Sequence, residues 1–485
     1  MARLSPERLA LLRRALAARG LGAPCAAPIP LREERATAPL SFAQERLYFL
    51  EAFQPGTPLH NDALVLRIDG ALDPSRLAGA LGALQGRHEI LRTSFELAGD
   101  GPRQRIHDAC ELPLRRVDLA PTSDAEERAA ELVRAHARVP FSLERAPLWR
   151  WLLVRLDESH AWLACAMHHL VSDGATFGIL LRELEELYED PGAATARAPS
   201  LQFGDYAAWE RASLDPSRAA SDLAYWKRHL APGPTALAWP GDSGVRTGSG
   251  GWTHFTLSAA TCEHLGRLAR AEDCTHGQVL LAAWFALLAA TSGAARVTTG
   301  VASSLRRRTE LADLPGFFVQ TLALRVDVGD DPDFRTLLAR TRAAALDGAA
   351  HADLPYDRVA RALETRGGPP LLSAYFSHMH DAIRAPRLGA ARCTWQLVDP
   401  RVARFDLSLV VHEAAGELGG FLEHDSGALG ADRAHALAAR YVDLVEQGAS
   451  RPSQPMSELT GRAPARRRPP APFAARRPRT TGEAA

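Results

Sequence analysis

Apolar residues along this chain recur with two periods that take turns. Between Leu40 and about Leu214, ALVLRIDG (63–70) alternates with period two and predicts a strand. Residues Pro74 to Gly86 follow helical spacing and predict a helix. WRWLLVRLD (149–157) and AWLACAMHHL (161–170) predict two more strands. After them, Phe177, Leu180, Leu181, Leu184 and Leu187 place one apolar stripe on a helix that runs to Glu189. A second half begins near Asp215. There TCEHLGRLARAED (261–273) and THGQVLLAAWFALLAATSG (275–293) predict helices. RVTTGVASS, TLALRVDV, LSAYFSHMH and FDLSLVVHE predict strands. The two halves have similar size and mixed content, which predicts an α/β (α+β) protein of two lobes, each of roughly 200 residues.

The ends read differently. Ser5, Pro6 and the spacing of Leu9, Leu12 and Leu16 predict a first helix that stops at Gly20. A Pro-rich connector, Ala23 to Pro39, follows as a linker or surface strap. The expected divisions are therefore 1–37 for helix and linker, 38–214 and 215–450 for the lobes, and 451–485 for a disordered basic, Pro-rich tail.

Composition narrows the functional classes. The 57 basic residues balance the 57 acidic ones, so neither a nucleic acid nor a membrane surface is an expected partner. The six cysteines are scattered without metal-ligand spacing, so reduced thiols and no metal site are expected. No run of eighteen apolar residues occurs, and the N-terminus lacks an apolar signal core. A cytoplasmic bacterial protein, monomeric, is the expectation.

The chemistry concentrates in MHHLVSDGATFGIL (167–180). A strand delivers His168 and His169 to its end, and adjacent strand residues face opposite sides. One ring can then meet a cavity while the other packs inward. A short loop leads to Asp173, Gly174 and a helix whose first N–H groups carry partial positive charge. Histidine exchanges protons near neutrality, and a helix start stabilises an oxyanion. The arrangement brings a base and an anion-stabilising dipole together.

Other segments stand in order around it. They are SFAQERLYFL (41–50), GRHEILRTSF (86–95), FGDYAAW (203–209), PGFFVQTLALR (315–325), HADLPYDRV (351–359) and ARFDLSLVV (403–411). At these residues the chain resembles the condensation domains of nonribosomal peptide synthetases, most of all the type that joins two L-configured units. The resemblance covers about residues 38 to 450. It implies two chloramphenicol-acetyltransferase-like lobes set in a V around a central tunnel. Donor and acceptor carrier proteins would offer phosphopantetheine thioesters from opposite mouths, and the chain itself would bind no cofactor.

The same resemblance suggests roles. His169 is the candidate catalytic residue, as a base or an amine-positioning group, and His168 is expected to turn inward. Gly174 is expected to allow close approach of substrate with its N–H accessible. Asp173 has two readings: a triad-like partner of His169, or, as the resemblance favours, a buried salt bridge with Arg92 first or Arg87 second. Ser41, Gln44 and Arg46 read as polar contacts beneath the tunnel, and Tyr206 and Trp209 as packing residues. Ser172, Gln320, Ser377, His378 and His380 are tunnel candidates. Gln320 stands where similar proteins usually carry Asn. Strand alternation puts Ser377 and Met379 on one face and His378 and His380 on the other, and His378 or His380 is expected to contact the acceptor or its nucleophile.

No adenylation signature and no carrier motif appear, so a free-standing condensation enzyme is expected, with a domain cut from a longer synthetase as the other possibility. Two variants stay open: an acyltransferase with a soluble small-molecule amine or alcohol acceptor, and a non-catalytic platform that recruits carriers or enzymes. The intact His168, His169, Asp173 and Gly174 argue against the platform.

Overall fold

The computed structural model of the protein describes residues 27–461, apart from 100, 121, 193–198, 232, 234–236, 238–245, 364–369, 380–382 and 415–416. The expected first helix lies outside the described residues. So does most of the expected tail. Residues 451–461 are an exception: Met456–Thr460 is a short helix that buries Met456 and Leu459 in the second core, so folded chain runs past 450.

Two six-stranded sheets form the frame. In the first, strand Asn61–Asp69 pairs antiparallel with His160–His168, which pairs with Trp149–Arg155. Leu114–Asp118 closes that side in parallel. Both faces of this sheet are covered, and the sequence explains why. Leu64, Leu66 and Ile68 enter one core with Leu163, Cys165 and Met167. Ala63 and Val65 enter another on the opposite face with Trp162, Ala164 and Ala166. Helices Pro74–Arg87 and Gly174–Glu189 cover the first face, and Ala125–Arg138 covers the second. Strands buried on both sides read as nearly continuous apolar runs, which is how AWLACAM reads.

The second sheet runs Val319–Asp327, Arg296–Ser304, Ala374–Met379, Leu407–Ala414, Glu417–Asp425, Gly250–Thr256. Its centre strand, Ala374–Met379, is parallel to both neighbours. Helix His276–Ser292 is capped by Thr275 and ends at Gly293, which takes the left-handed conformation of a C-terminal stop. It is buried from Val279 through Leu288, and its apolar composition follows from this core position. No single helix among the described residues is long and apolar enough to cross a membrane.

The halves are less separate than a boundary at 215 implies. Strand Ala391–Leu397 crosses back and pairs with Asn61–Asp69, from Arg392 opposite Asp69 to Leu397 opposite Leu64. Cys393, Trp395 and Leu397 pack against the first core, so the crossing covers an apolar sheet edge that would otherwise lie open. Leu311, Leu314, Phe317 and Phe318 also join the first core. The connector before Pro39 acts as a strap: the Ile29 N–H donates to Glu310, and Arg308 donates to the Ala27 carbonyl.

Candidate active site

The histidine strand ends where the two halves meet. His168 is opposite Asn61 in register, and Asp62 is opposite Met167. His168 therefore shares the face covered by helix Ala125–Arg138. There Asn61 Nδ2 donates to the carbonyls of Ala137 and Val139, both at 2.8 Å. The His168 ring is buried and meets the Phe141 ring edge-on at 6.2 Å between centroids. His169 leaves on the other side. Its N–H donates to the His60 carbonyl at 2.8 Å, and its ring packs 4.7 Å from the Phe317 ring. One ring inward and one outward is the geometry that strand alternation requires.

His169 lines a cavity of about 690 Å³ between the halves. Phe42, Asp62, Gly174 and Phe177 reach it from one half, and Phe317, Gln320, Tyr375, Ser377 and Arg404 from the other. A space of this size suits a small ligand or an extended substrate arm. The His169 Nδ1 atom is buried and lies 2.7 Å from Asp62 Oδ2. Nε2 has no protein partner among the described residues and is left to the cavity. Asp62 also meets Arg404 NH2 through Oδ1 at 2.6 Å. Burial works against the Asp62 charge, but His169 and Arg404 outweigh it and hold the carboxyl well below the usual carboxylate range.

Asp173 does not partner His169, and it does not pair with Arg92 or Arg87. Its Oδ1 accepts from Thr176 N–H and hydroxyl, both at 2.9 Å, which caps helix Gly174–Glu189. Its Oδ2 accepts from the Phe318 N–H at 3.1 Å and pairs with Arg306. Arg306 also donates to the Leu314 carbonyl at 3.0 Å and stacks over the Phe318 ring. Asp173 thus ties the histidine loop to a segment of the other half. The expected partners are turned elsewhere by their own elements. Arg87 ends helix Pro74–Arg87 and binds Glu183 at 3.0 Å, joining two helices, while Arg92 donates to the His107 carbonyl.

The other expected positions divide. Ser172 is fully buried and donates to the His168 carbonyl at 3.1 Å, so it braces the loop and does not line the cavity. Gln320 lines the cavity, and its amide donates to the Leu354 carbonyl at 2.8 Å. Ser377 and Met379 also line it. His378 points the other way, against Gly277 at the start of helix His276–Ser292, so a His378 contact with a ligand in this cavity is ruled out by strand parity. His380 lies outside the described residues. Gln44 donates to the Leu170 carbonyl at 2.9 Å from beneath the loop, and Ser41 caps its helix. Arg46 reaches Thr321 across the halves, and Tyr206 packs on Phe318.

Gly174 is tightly hemmed. A Cβ there would sit 2.7 Å from the Met379 Cε. The N–H groups of Gly174 and Ala175 open the helix, and Gly174 borders the cavity.

Glu51, His60 and His168 form a buried cluster with metal-ligand chemistry. His60 Nδ1 lies 2.7 Å from Glu51 Oε2, and His168 Nε2 lies 3.6 Å from it. The Leu170 N–H donates to His168 Nδ1 at 3.1 Å. Neutral His168 therefore keeps its proton on Nε2, where a metal would need a bare nitrogen. Burial, aided by Arg404, pushes His60 down to about 4, while the two histidines outweigh burial and hold Glu51 near about 2. The cluster fits a hydrogen-bonded support beneath the loop better than a metal centre.

Comparison with known proteins gives a consistent result. The family model described as "Condensation domain" matches residues 34–467. Phosphinothricin tripeptide synthetase PhsC of Streptomyces viridochromogenes is 35% identical over 476 residues, covering 95% of this chain and 43% of that protein. Malpibaldin synthetase of Mortierella alpina is 34% identical over 419 residues, covering 84% of this chain and 8% of that protein. The chain spans less than half the length of these curated relatives. Among solved structures, the first condensation domain of the calcium-dependent antibiotic synthetase, in complex with a substrate analogue, is similar with a TM-score of 0.77 at 22% identity, covering 87% of this chain and 98% of that one. The fold is the two-lobed, chloramphenicol-acetyltransferase-like one that the family resemblance implies.

Proposed function

The chain belongs to the condensation-domain family, and on that premise we propose that it forms an amide by attack of an amine on a carrier-bound thioester. The donor is an acyl or peptidyl group on the phosphopantetheine arm of one carrier protein. The acceptor is an aminoacyl group on a second carrier. The observation that carries this reading is the placement of His169, with Nδ1 buried against a carboxylate and Nε2 left to a cavity between the lobes.

The chemistry balances without a co-reactant. The amine must be neutral to attack. As its nitrogen bonds to the carbonyl carbon, His169 Nε2 accepts a proton from it. The carbon–sulfur bond then breaks, and the same proton goes to the departing thiolate. The N-terminal turn of helix Gly174–Glu189 favours negative charge on the carbonyl oxygen. The Arg306–Asp173 pair and the Gln44 contact keep the loop where this can occur.

Reconstitution tests the reading. The protein is incubated with an acyl-loaded carrier and an aminoacyl-loaded carrier, and the acceptor carrier is weighed by intact mass spectrometry. A mass gain equal to the donor acyl group is expected. A parallel arm with free amine or alcohol in place of the second carrier separates the soluble-acceptor variant, which gives product there. No product in either arm, with both carriers shown to bind, supports the recruiting platform instead.

Gly174→Ala supplies a second test. The added methyl displaces the flexible end of Met379 and leaves the backbone in place. The variant is expected to keep its thermal midpoint while the rate falls about tenfold to a hundredfold, as reacting atoms are misplaced. Met379→Ala in the same chain is expected to restore most of the rate. Failure of that restoration would place the glycine's role elsewhere.

A further inference from the structure

Asp62 has no part in the motifs around the histidines, yet it is the group that the structure brings to the buried side of His169. It is the second residue of strand Asn61–Asp69, opposite Met167. His169 lies two residues beyond Met167, so the two side chains fall diagonally on one face of the sheet. Oδ2 reaches His169 Nδ1 at 2.7 Å, and Oδ1 takes Arg404 NH2 at 2.6 Å. Arg404 is in turn fixed from three sides. Its Nε donates to the Leu59 carbonyl at 3.1 Å, its backbone N–H donates to Glu423, and its guanidinium holds Asp62. Asp62 comes from one half and Arg404 from the other, so the chain of contacts exists only when the halves meet.

We infer that Asp62 is the positioning residue of the reaction, holding His169 in the tautomer that carries its proton on Nδ1 and leaves Nε2 bare toward the cavity. The inference rests on the amide-forming role of His169. An ionised carboxylate only accepts hydrogen bonds, so the nitrogen it faces must be the protonated one. The two residues flanking the pair cannot substitute. Asp173 is spent on Thr176, Phe318 and Arg306, and Glu51 faces His60 and His168. The contact is short in distance but out of line for a good hydrogen bond. Catalytic hydrogen bonds often align only when substrate is bound. The plainer alternative is that Asp62 merely ties Arg404 across the halves.

Asp62→Asn separates the two. Asparagine keeps the shape and can still accept from Arg404, but it can donate or accept toward His169 and so fixes neither tautomer. Single-turnover amide formation by the full chain is expected to fall about a hundredfold or more, with donor and acceptor carrier binding unchanged. The thermal midpoint is expected to fall only modestly, because the Arg404 and Asp62 side chains keep 28% and 23% exposure and Glu423 remains beside Arg404. Nitrogen NMR of histidine-labelled protein, with His169 assigned by its loss in His169→Ala, is expected to show bare Nε2 in the natural chain and a tautomer mixture in Asp62→Asn. The double variant is expected to be no slower than His169→Ala alone, because the aspartate acts through the ring. A ring protonated on Nε2 in the natural chain, or a rate within twofold after Asp62→Asn, overturns the inference. If His169→Ala itself keeps its rate while the tautomer still answers to Asp62, the positioning stands and the amide-forming role of the ring is what fails.

Discussion

Replacing His169 with alanine is expected to lower single-turnover amide formation by about a hundredfold to ten-thousandfold, the range that a positioned acid–base group supplies. Stability is expected to change little. The ring packs on Phe317 but keeps 18% of its side chain exposed, and its backbone contact to His60 survives the substitution. The loss is therefore expected in rate and not in carrier binding. His168 is the contrasting case. Its ring is buried, accepts from Leu170 and stands by Glu51. His168→Ala removes packing and orphans that N–H, so both rate and unfolding midpoint are expected to fall. Rapid-quench kinetics with preloaded carriers, set beside thermal unfolding of each variant, distinguishes them. A His169→Ala protein that unfolds early, or keeps its rate, contradicts the assignment.

The second large effect is expected at Arg306. Its side chain and that of Asp173 are 8% and 2% exposed, and the pair joins the histidine loop to the other half. Removing one member of a buried pair leaves the other charged and uncompensated, at a cost of about 3–5 kcal/mol. Arg306→Ala is thus expected to lower the denaturant midpoint sharply and to abolish product through a misplaced loop. Asp173→Asn keeps the helix cap and still strands Arg306, so it is expected to destabilise as well. Combining Asp173→Asn with Arg306→Met removes both charges and is expected to recover much of the stability. Single variants whose midpoints match the natural chain would show that the pair does not hold the halves together. Equal effects at Arg92 would favour the partner that the family resemblance implies.

That difference marks how far the sequence can be read. The strand, the two histidines, the loop and the capped helix all follow from period and residue type within twenty-odd positions, and the structure has them in place. The partner of Asp173 is non-local. Arg306 stands in a run of three arginines with no periodic signal, and only the crossing of residues 305–318 over the helix selects it from Arg307 and Arg308. Asp62 left a fainter trace. It occupies the same strand face as Leu64, Leu66 and Ile68, so a carboxylate stands at a core-facing position, a placement that demands a partner. Alternation along LSAYFSHMH separates Ser377 from His378, but which face meets the cavity depends on the sheet's neighbours. The crossover strand Ala391–Leu397 is similar: its alternation is visible, but its pairing with Asn61–Asp69 is decided by an exposed edge more than three hundred residues earlier.

In the proposed reaction everything turns on the acceptor nitrogen meeting Nε2 of His169 inside the cavity between the lobes. A structure of the protein bound to an acceptor carrier, its amino acid tethered through a linkage that cannot transfer, measures that approach. The amine nitrogen is expected within about 2.6–3.2 Å of Nε2. An acceptor seated with its nitrogen beyond reach of that ring, or held outside the cavity while the protein still makes product, contradicts the mechanism.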